Sequence, residues 1–229
     1  GYIAPRHLAA IKDTGNRLVA AVDPHDSVGI LDRFFYGAAY FREFERFDRH
    51  VDKLRRKSEE DRVHYVTICS PNYLHDAHIR FALRVGADVI CEKPLVMNSW
   101  NCDALAEMEA EYGHKVSTVL QLRLHSTVLA LREKYAKGAD NTKHDVNLTY
   151  ITSRGPWYLH SWKGDVSRAG GLATNIGVHF FDMLLWVFGS VQENRVYLAT
   201  DTKTCGYLEL ERARINWFLS VDRNDLPTA

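Results

Sequence analysis

"HYVTICSPNYLHDAHIRFALRVGADVICEKP", residues 64–94, sets two short apolar runs on either side of a helical one. Residues 64–70 and 88–91 are rich in Val, Ile and Cys, a pattern that fits strands buried on both faces. Between them, 74–87 repeats its apolar residues at helical spacing and ends on Gly86 and Ala87. Strand, helix and strand in so little chain read as a βαβ unit, whose two strands must lie parallel. Each strand then runs into residues that no buried strand favours: Ser70, Pro71 and Asn72 after the first, and Glu92, Lys93 and Pro94 after the second. In open parallel sheets, ligands are bound in the crevice at the carboxyl ends of the strands.

Outward from this unit the same alternation continues. Towards the amino end the sequence predicts a helix over 4–15, with Pro5 suited to its first turn and Gly15 to its end, and a strand over 17–23. Helices follow over 26–35 and 44–62, the latter amphipathic through Phe44, Phe47, Val51 and Leu54. Towards the carboxyl end it predicts a helix over 99–113, a strand over 115–123 and a helix over 126–138. The polar "ADNTKHD" (139–145) reads as a junction. Beyond it the pattern changes to a strand over 146–155, an irregular aromatic stretch over 156–171, one apolar helix over 172–189, and strands over 194–200, 204–211 and 213–221. The fold class is therefore α/β: a doubly wound parallel sheet followed by an α+β domain with a mostly antiparallel open sheet. The boundaries are drawn at 1–124 and 125–229. No strand stands before the first helix, where a doubly wound sheet would begin, so the first domain reads as lacking its first strand and the second as lacking its last.

The bulk properties narrow the function by exclusion. Among 229 residues, 29 basic balance 29 acidic, which gives no electrostatic reason to expect nucleic acid or an anionic membrane. The four cysteines, Cys69, Cys91, Cys102 and Cys205, form no CxxC pair, and a reducing cytoplasm is the expected compartment. The longest apolar stretch, 180–189, is too short for a bilayer and carries Asp182. His75 and His78 stand three apart with no third ligand nearby, so no metal is expected.

Three stretches carry chemistry. "GYIAPRH" (1–7) resembles the back half of a glycine-rich dinucleotide turn, with Ala4 as the small residue for close packing. Asp23, at the end of the next strand, is placed to accept hydrogen bonds from a ribose. Such an acid disfavours a 2′-phosphate, which points to NAD rather than NADP. Lys93, at a strand end, can donate to a substrate hydroxyl or oxyanion, with Glu92 beside it. In "GGLATNIGVHFFD" (170–182), Asn175 and His179 stand at i and i+4 on one helical face.

"EKP" after a strand, "PNYLH" one unit earlier and "GGxxxNxGxHxxD" in the second domain together resemble the glucose–fructose oxidoreductase/inositol dehydrogenase (Gfo/Idh/MocA) family. The resemblance implies a Rossmann domain joined to an α/β domain that often mediates oligomerisation, and a proline in EKP that is commonly cis. It also implies oxidation or reduction of sugar hydroxyls with a nicotinamide cofactor. Residues 157–189 are most similar to members that oxidise C3 of a UDP-N-acetyl-amino sugar uronate, as in surface polysaccharide synthesis. The rivals are another sugar or inositol dehydrogenase, or a non-catalytic dinucleotide-sensing regulator. On this basis Lys93 and His179 are the expected catalytic pair, with their roles interchangeable. Gly1, Tyr2, Ile3, Asp23, Ser70, Asn72, His75, Glu92, Lys93 and Gln121 are expected around NAD. Lys93, Arg123, Tyr158, Lys163, Arg168, Asn175 and His179 are expected around the substrate, with Arg123, Lys163 or Arg168 meeting its carboxylate. Asn175 stands where many members have Asp. The assembly implied by the resemblance is a homo-oligomer, a dimer or tetramer, formed through the carboxyl-terminal sheet.

Overall fold

The computed structural model describes residues 2–25, 29–136 and 143–227. The chain divides into two compact units. The first comprises Gly1–Ser70 and Leu74–Thr118, and the second Pro71–Tyr73 and Val119–Ala229.

The first unit alternates as the apolar pattern predicts. It runs α1 (Ala4–Asp13), β1 (Ala20–Val22), β2 (Ala39–Phe41), α2 (Phe44–Lys57), β3 (Tyr65–Ile68), α3 (His75–Arg84), β4 (Asp88–Cys91), α4 (Ser99–Tyr112) and β5 (Val116–Thr118). All its strand pairs are parallel: β1 with β2, β3 with β4, and β4 with β5. Two parallel strands need a crossover between them, and α3 supplies it from β3 to β4. Its core joins Val51 of α2, Ile79, Phe81 and Leu83 of α3, Ile68 of β3 and Val89 and Cys91 of β4. Each such side chain contributes about 1.5–3 kcal/mol by leaving water. Helix ends follow local chemistry: the Asn98 side chain accepts from Asn101 N–H to open α4, and Gly113 closes it with φ of 72°.

Two expectations fail here. The helix expected over 26–35 is only a short 3-10 turn at Leu31–Arg33, with 26–28 outside the described residues; the sequence reading also missed β2. A three-residue strand is too short to show a period. The strand expected over 115–123 stops at Thr118 and gives way to a 3-10 turn over Gln121–Leu124.

The second unit holds α5 (Ser126–Ala136), β6 (His144–Ile151), α6 (Trp157–His160), α7 (Val166–Ala169), α8 (Val178–Phe188), β7 (Val191–Ala199), β8 (Lys203–Leu210) and β9 (Ala213–Ser220). Its four strands order β6-β9-β8-β7, antiparallel except for the parallel pair β6 and β9. Leu184, Val187 and Phe188 of α8 share a core with Leu208, Leu210, Ile215, Trp217 and Leu219 of the sheet. The helical run Val166–Phe188 is, by length and composition alone, apolar enough to cross a bilayer, which the sequence reading had not expected. In this unit its apolar face is spent on the sheet instead.

Helix α8 is preceded by a π-helical turn at Ala173–Gly177, where the sequence reads as plain α-helix. Gly170 and Gly171 enter it with φ of 81° and 77°, a conformation that few residues with a Cβ adopt. Gly177 leaves it, and a Cβ there would fall 2.6 Å from Phe181 and 2.9 Å from Leu219.

Candidate active site

In the first unit, the polar residues singled out from the sequence stand at the carboxyl ends of parallel strands: Asp23 after β1, Ser70 after β3, and Glu92 and Lys93 after β4. Asp23 Oδ1 accepts from the His25 N–H at 2.9 Å, which fixes the carboxylate at the strand end. Ser70 Oγ lies 3.0 Å from His78 Nδ1. The peptide Lys93–Pro94 is cis. A carboxylate acceptor, a hydroxyl and an ammonium at the carboxyl ends of three parallel strands are among the donors and acceptors a dinucleotide needs, so these residues fit NAD. Among the remaining expected cofactor residues, Tyr2 is exposed, Ile3 is half-buried, and Gly1 lies outside the described residues.

His75 needs correcting. It is expected at the cofactor, but it is fully buried, with Nδ1 2.7 Å from Pro94 O and Nε2 2.9 Å from Ser70 O. Both ring nitrogens are taken by backbone carbonyls, so His75 ties the two strand-end loops together and has no edge for a ligand. His78 stacks on Phe44, and burial pushes its pKa down, with His75 adding to the effect. Among the described residues no group of three or more His, Cys, Asp or Glu could hold a metal ion.

The sequence reading missed His7. On α1, its Nε2 lies 2.9 Å from Glu92 Oε1 and its Nδ1 2.6 Å from Thr67 Oγ1. Its interactions with Cys69 and with the Glu92 carboxylate outweigh burial and push its pKa up to about 10. Burial pushes Glu92 up, but His7 and the Lys93 backbone N–H hold its carboxyl below the ordinary value. The signal was present in the sequence, since His7 falls one helical turn beyond Ile3 on the helix that leads the unit.

In the second unit, Asn175 is buried in the π turn. Its Oδ1 accepts from Asn72 Nδ2 at 3.3 Å, and its Nδ2 donates to Tyr158 Oη at 3.4 Å. Asn72 also donates to Ala169 O at 3.1 Å. Asn72 is therefore a buried tie between loop 71–73 and the helical run, where the sequence suggested a cofactor contact. Tyr158 is likewise 3% exposed, its ring packed with Leu172 and Val221 rather than offered to a sugar. His179 opens α8, half-buried, two residues past the π turn. Gln121 is exposed on its 3-10 turn.

The three cations expected to compete for a substrate carboxylate part company. Arg123 clasps Asp182 with two hydrogen bonds, one of them 2.8 Å from Nε to Oδ2, so its charge is already met. Arg168 pairs with Asp165 at 3.4 Å and lies over the Tyr73 ring. Lys163 lies over the rings of Trp157 and Trp162, 5.5 Å and 5.8 Å from their centroids, and among the described residues pairs with no carboxylate. Burial lowers its pKa, and Arg154 lowers it further. Arg154, at the carboxyl end of β6, was not singled out from the sequence, although an Arg just past a strand that borders an aromatic loop is a usable signal.

These features, parallel strand ends with a Lys just before a cis proline and a second unit of mixed sheet and helix, are those of a two-domain fold of the Rossmann type. The chain belongs to the Gfo/Idh/MocA oxidoreductase family: its NAD-binding Rossmann-fold model matches residues 1–119, and its C-terminal α/β-domain model matches residues 142–218. Among solved structures, the chain is 50% identical to the WlbA (WbpB) dehydrogenase of Thermus thermophilus. It superposes with a TM-score of 0.95 on the complex with NAD and α-ketoglutarate, covering 99% of this chain and 72% of that one. On the complex with NAD and UDP-GlcNAcA the TM-score is 0.94, covering 99% and 73%. Among curated relatives, it is 25% identical to the inositol 2-dehydrogenase of Rhizobium meliloti, over 82% of this chain and 53% of that protein. The chain spans about a third to a half of the length of the curated relatives it matches.

Proposed function

We propose that the chain carries out NAD-dependent oxidation of the C3 hydroxyl of a UDP-N-acetyl-amino sugar uronate to the 3-keto sugar. The observation that carries this reading is the 50% identity, over 99% of the chain, to a dehydrogenase crystallised with NAD and UDP-GlcNAcA. Residues 1–124 are assigned to NAD and 125–229 to the substrate. NAD supplies the hydride acceptor. Asp23 accepts from the adenosine ribose and repels a 2′-phosphate.

Lys93 donates a hydrogen bond to the substrate O3 and stabilises its negative charge as the proton leaves. His179 takes that proton as general base, since imidazole titrates near working pH. The substrate carboxylate and diphosphate are anionic, and with Arg123 committed to Asp182, Lys163 and Arg154 are the cations left to meet them. The indoles of Trp157 and Trp162 keep Lys163 in place.

The α-ketoglutarate in the other Thermus complex suggests how the cofactor is recycled. NADH and a proton reduce the ketone of such a 2-oxo acid to its 2-hydroxy acid and return NAD. The setting assigned is cytoplasmic synthesis of surface polysaccharide such as O-antigen, by a homo-oligomer joined through the β6-β9-β8-β7 sheet.

The test is NADH formation by the purified full-length protein with UDP-GlcNAcA, UDP-GlcNAc, inositol and free glucose, each with and without α-ketoglutarate. Turnover that strongly prefers the uronate is the expected result, because a half-buried cation left without its anion penalises the neutral sugar. Preference for inositol or glucose would replace the substrate assigned here. Tight NAD binding without turnover of any of them would make the protein a dinucleotide sensor.

A further inference from the structure

Lys93 sits between two histidines that come from different helices and hold the turn on either side of it. On the far side, His75 of α3 faces the carbonyl of Pro94 at 2.7 Å. On the near side, His7 of α1 bonds the carboxylate of Glu92, next to Lys93 in the chain, at 2.9 Å. The His7 and Glu92 side chains are only 12% and 15% exposed. The other ring nitrogen of His7 is anchored on Thr67 of β3 at 2.6 Å. A line of hydrogen bonds therefore runs from Thr67 through His7 to Glu92, the residue that precedes Lys93.

We infer that His7 is a positioning residue for Lys93: by clamping Glu92, it sets the direction in which the Lys93 backbone presents its side chain. The inference rests on the reading above, in which Lys93 acts on the substrate hydroxyl. A simpler alternative is that His7 only fills space between α1 and the sheet. The two differ in what they require of the ring. Packing needs its volume, whereas clamping needs a donor at the position of Nε2. The groups facing His7 are Thr67, Cys69 and Glu92. With the Thr67 hydroxyl against Nδ1 and the Glu92 carboxylate against Nε2, the ring presents its Nε2–H donor to Glu92.

Glutamine and asparagine separate these requirements. The amide nitrogen of His7→Gln reaches about as far as Nε2, whereas that of His7→Asn reaches only as far as Nδ1. In the full-length protein, with NAD and UDP-GlcNAcA, His7→Asn should lower kcat roughly tenfold or more, because small misplacements of a reacting group are costly. The KM for NAD should shift little. His7→Gln should recover most of the lost kcat. Equal loss in both variants, or full kcat in both, overturns the inference. If His7→Asn does not fold, His7→Gln decides alone: kcat within about fivefold of wild type supports clamping, and a loss of about a hundredfold in a folded protein refutes it. Lys93→Met, measured alongside, separates the two levels. If Lys93→Met retains kcat, the role given to Lys93 has failed, and if only the His7 variants retain it, the clamp alone has failed.

Discussion

Replacing His7 by Gln should abolish a pH dependence of stability that the wild-type protein carries. In the folded protein the ring holds its proton up to about pH 10, against 6.5 for a free histidine. Between those values the folded state binds one proton that the unfolded state has released. Stability therefore falls as pH rises through this window, and the contribution of the ring, complete below about 6.5, is gone above about 10. At about 1.4 kcal/mol per pH unit the whole span amounts to about 5 kcal/mol for a ring fully shielded from water. The ring keeps 12% of its surface exposed, and solvent screening brings the expected figure to about 2 kcal/mol. The assay is equilibrium denaturation of wild type and His7→Gln from about pH 6 to about pH 10, with the difference in unfolding free energy plotted against pH. Groups that titrate alike in both proteins cancel in that difference. The stability advantage of the wild type should be largest near pH 6 and should shrink steadily towards pH 10. A difference that stays flat, or widens with pH, would refute the ion-pair geometry between His7 and Glu92.

Three further outcomes are expected. Asp23→Ser should reduce the preference for NAD over NADP at least roughly tenfold, read by titration calorimetry, because it removes the carboxylate facing a 2′-phosphate; an unchanged preference would return Asp23 to a mere turn-former holding His25 N–H. Lys93→Met and His179→Ala should each lower kcat roughly a hundredfold or more with NAD binding nearly intact, and the double variant should be little worse than either, since groups acting as a unit are not additive. Gly177→Ala should destabilise the second unit by up to about 2 kcal/mol in chemical denaturation, because its Cβ would overlap Phe181 and Leu219 by more than the helix gains from Ala; a neutral or stabilising result would mean that α8 can slide on the sheet.

Most of the architecture could be read from the chain because the apolar runs are long or strongly periodic. Val66 to Ile68, Ile79 to Leu83 and Val89 to Cys91 admit one arrangement of strands and crossover helix, and it is the one observed. What stayed hidden was short or depended on distant partners. Strand β2 has only three residues, and the π turn at Ala173–Gly177 arises where the helix takes an extra residue while Asn175 meets Asn72 and Tyr158. Site residues divide the same way. The strand-end position of Lys93 and Glu92 was legible because charge is costly at the mouth of a buried strand. Tyr158, Asn72 and His75 looked like ligands because their polar groups are conspicuous in sequence, where the carbonyl and amide partners that satisfy them do not appear. Arg123 misled for a related reason, as Asp182 lies far along the chain.

The parallel pairing of β6 with β9 dictates an order of events during synthesis. His144 pairs with Ala213 and Ile151 with Ser220, so β6 leaves the ribosome with no neighbour until the two antiparallel hairpin strands that follow have been made. Helix α8 emerges in that interval with Leu184, Val187 and Phe188 still lacking the Leu210, Ile215 and Leu219 that will cover them. Strands β7 and β8 can zip locally as soon as they appear, but the sheet closes only when β9 inserts between β8 and β6. A nascent chain stalled before Ala213 would thus present an apolar helix and an unpaired strand together, a natural substrate for chaperones and, without them, for association with its neighbours on the same message.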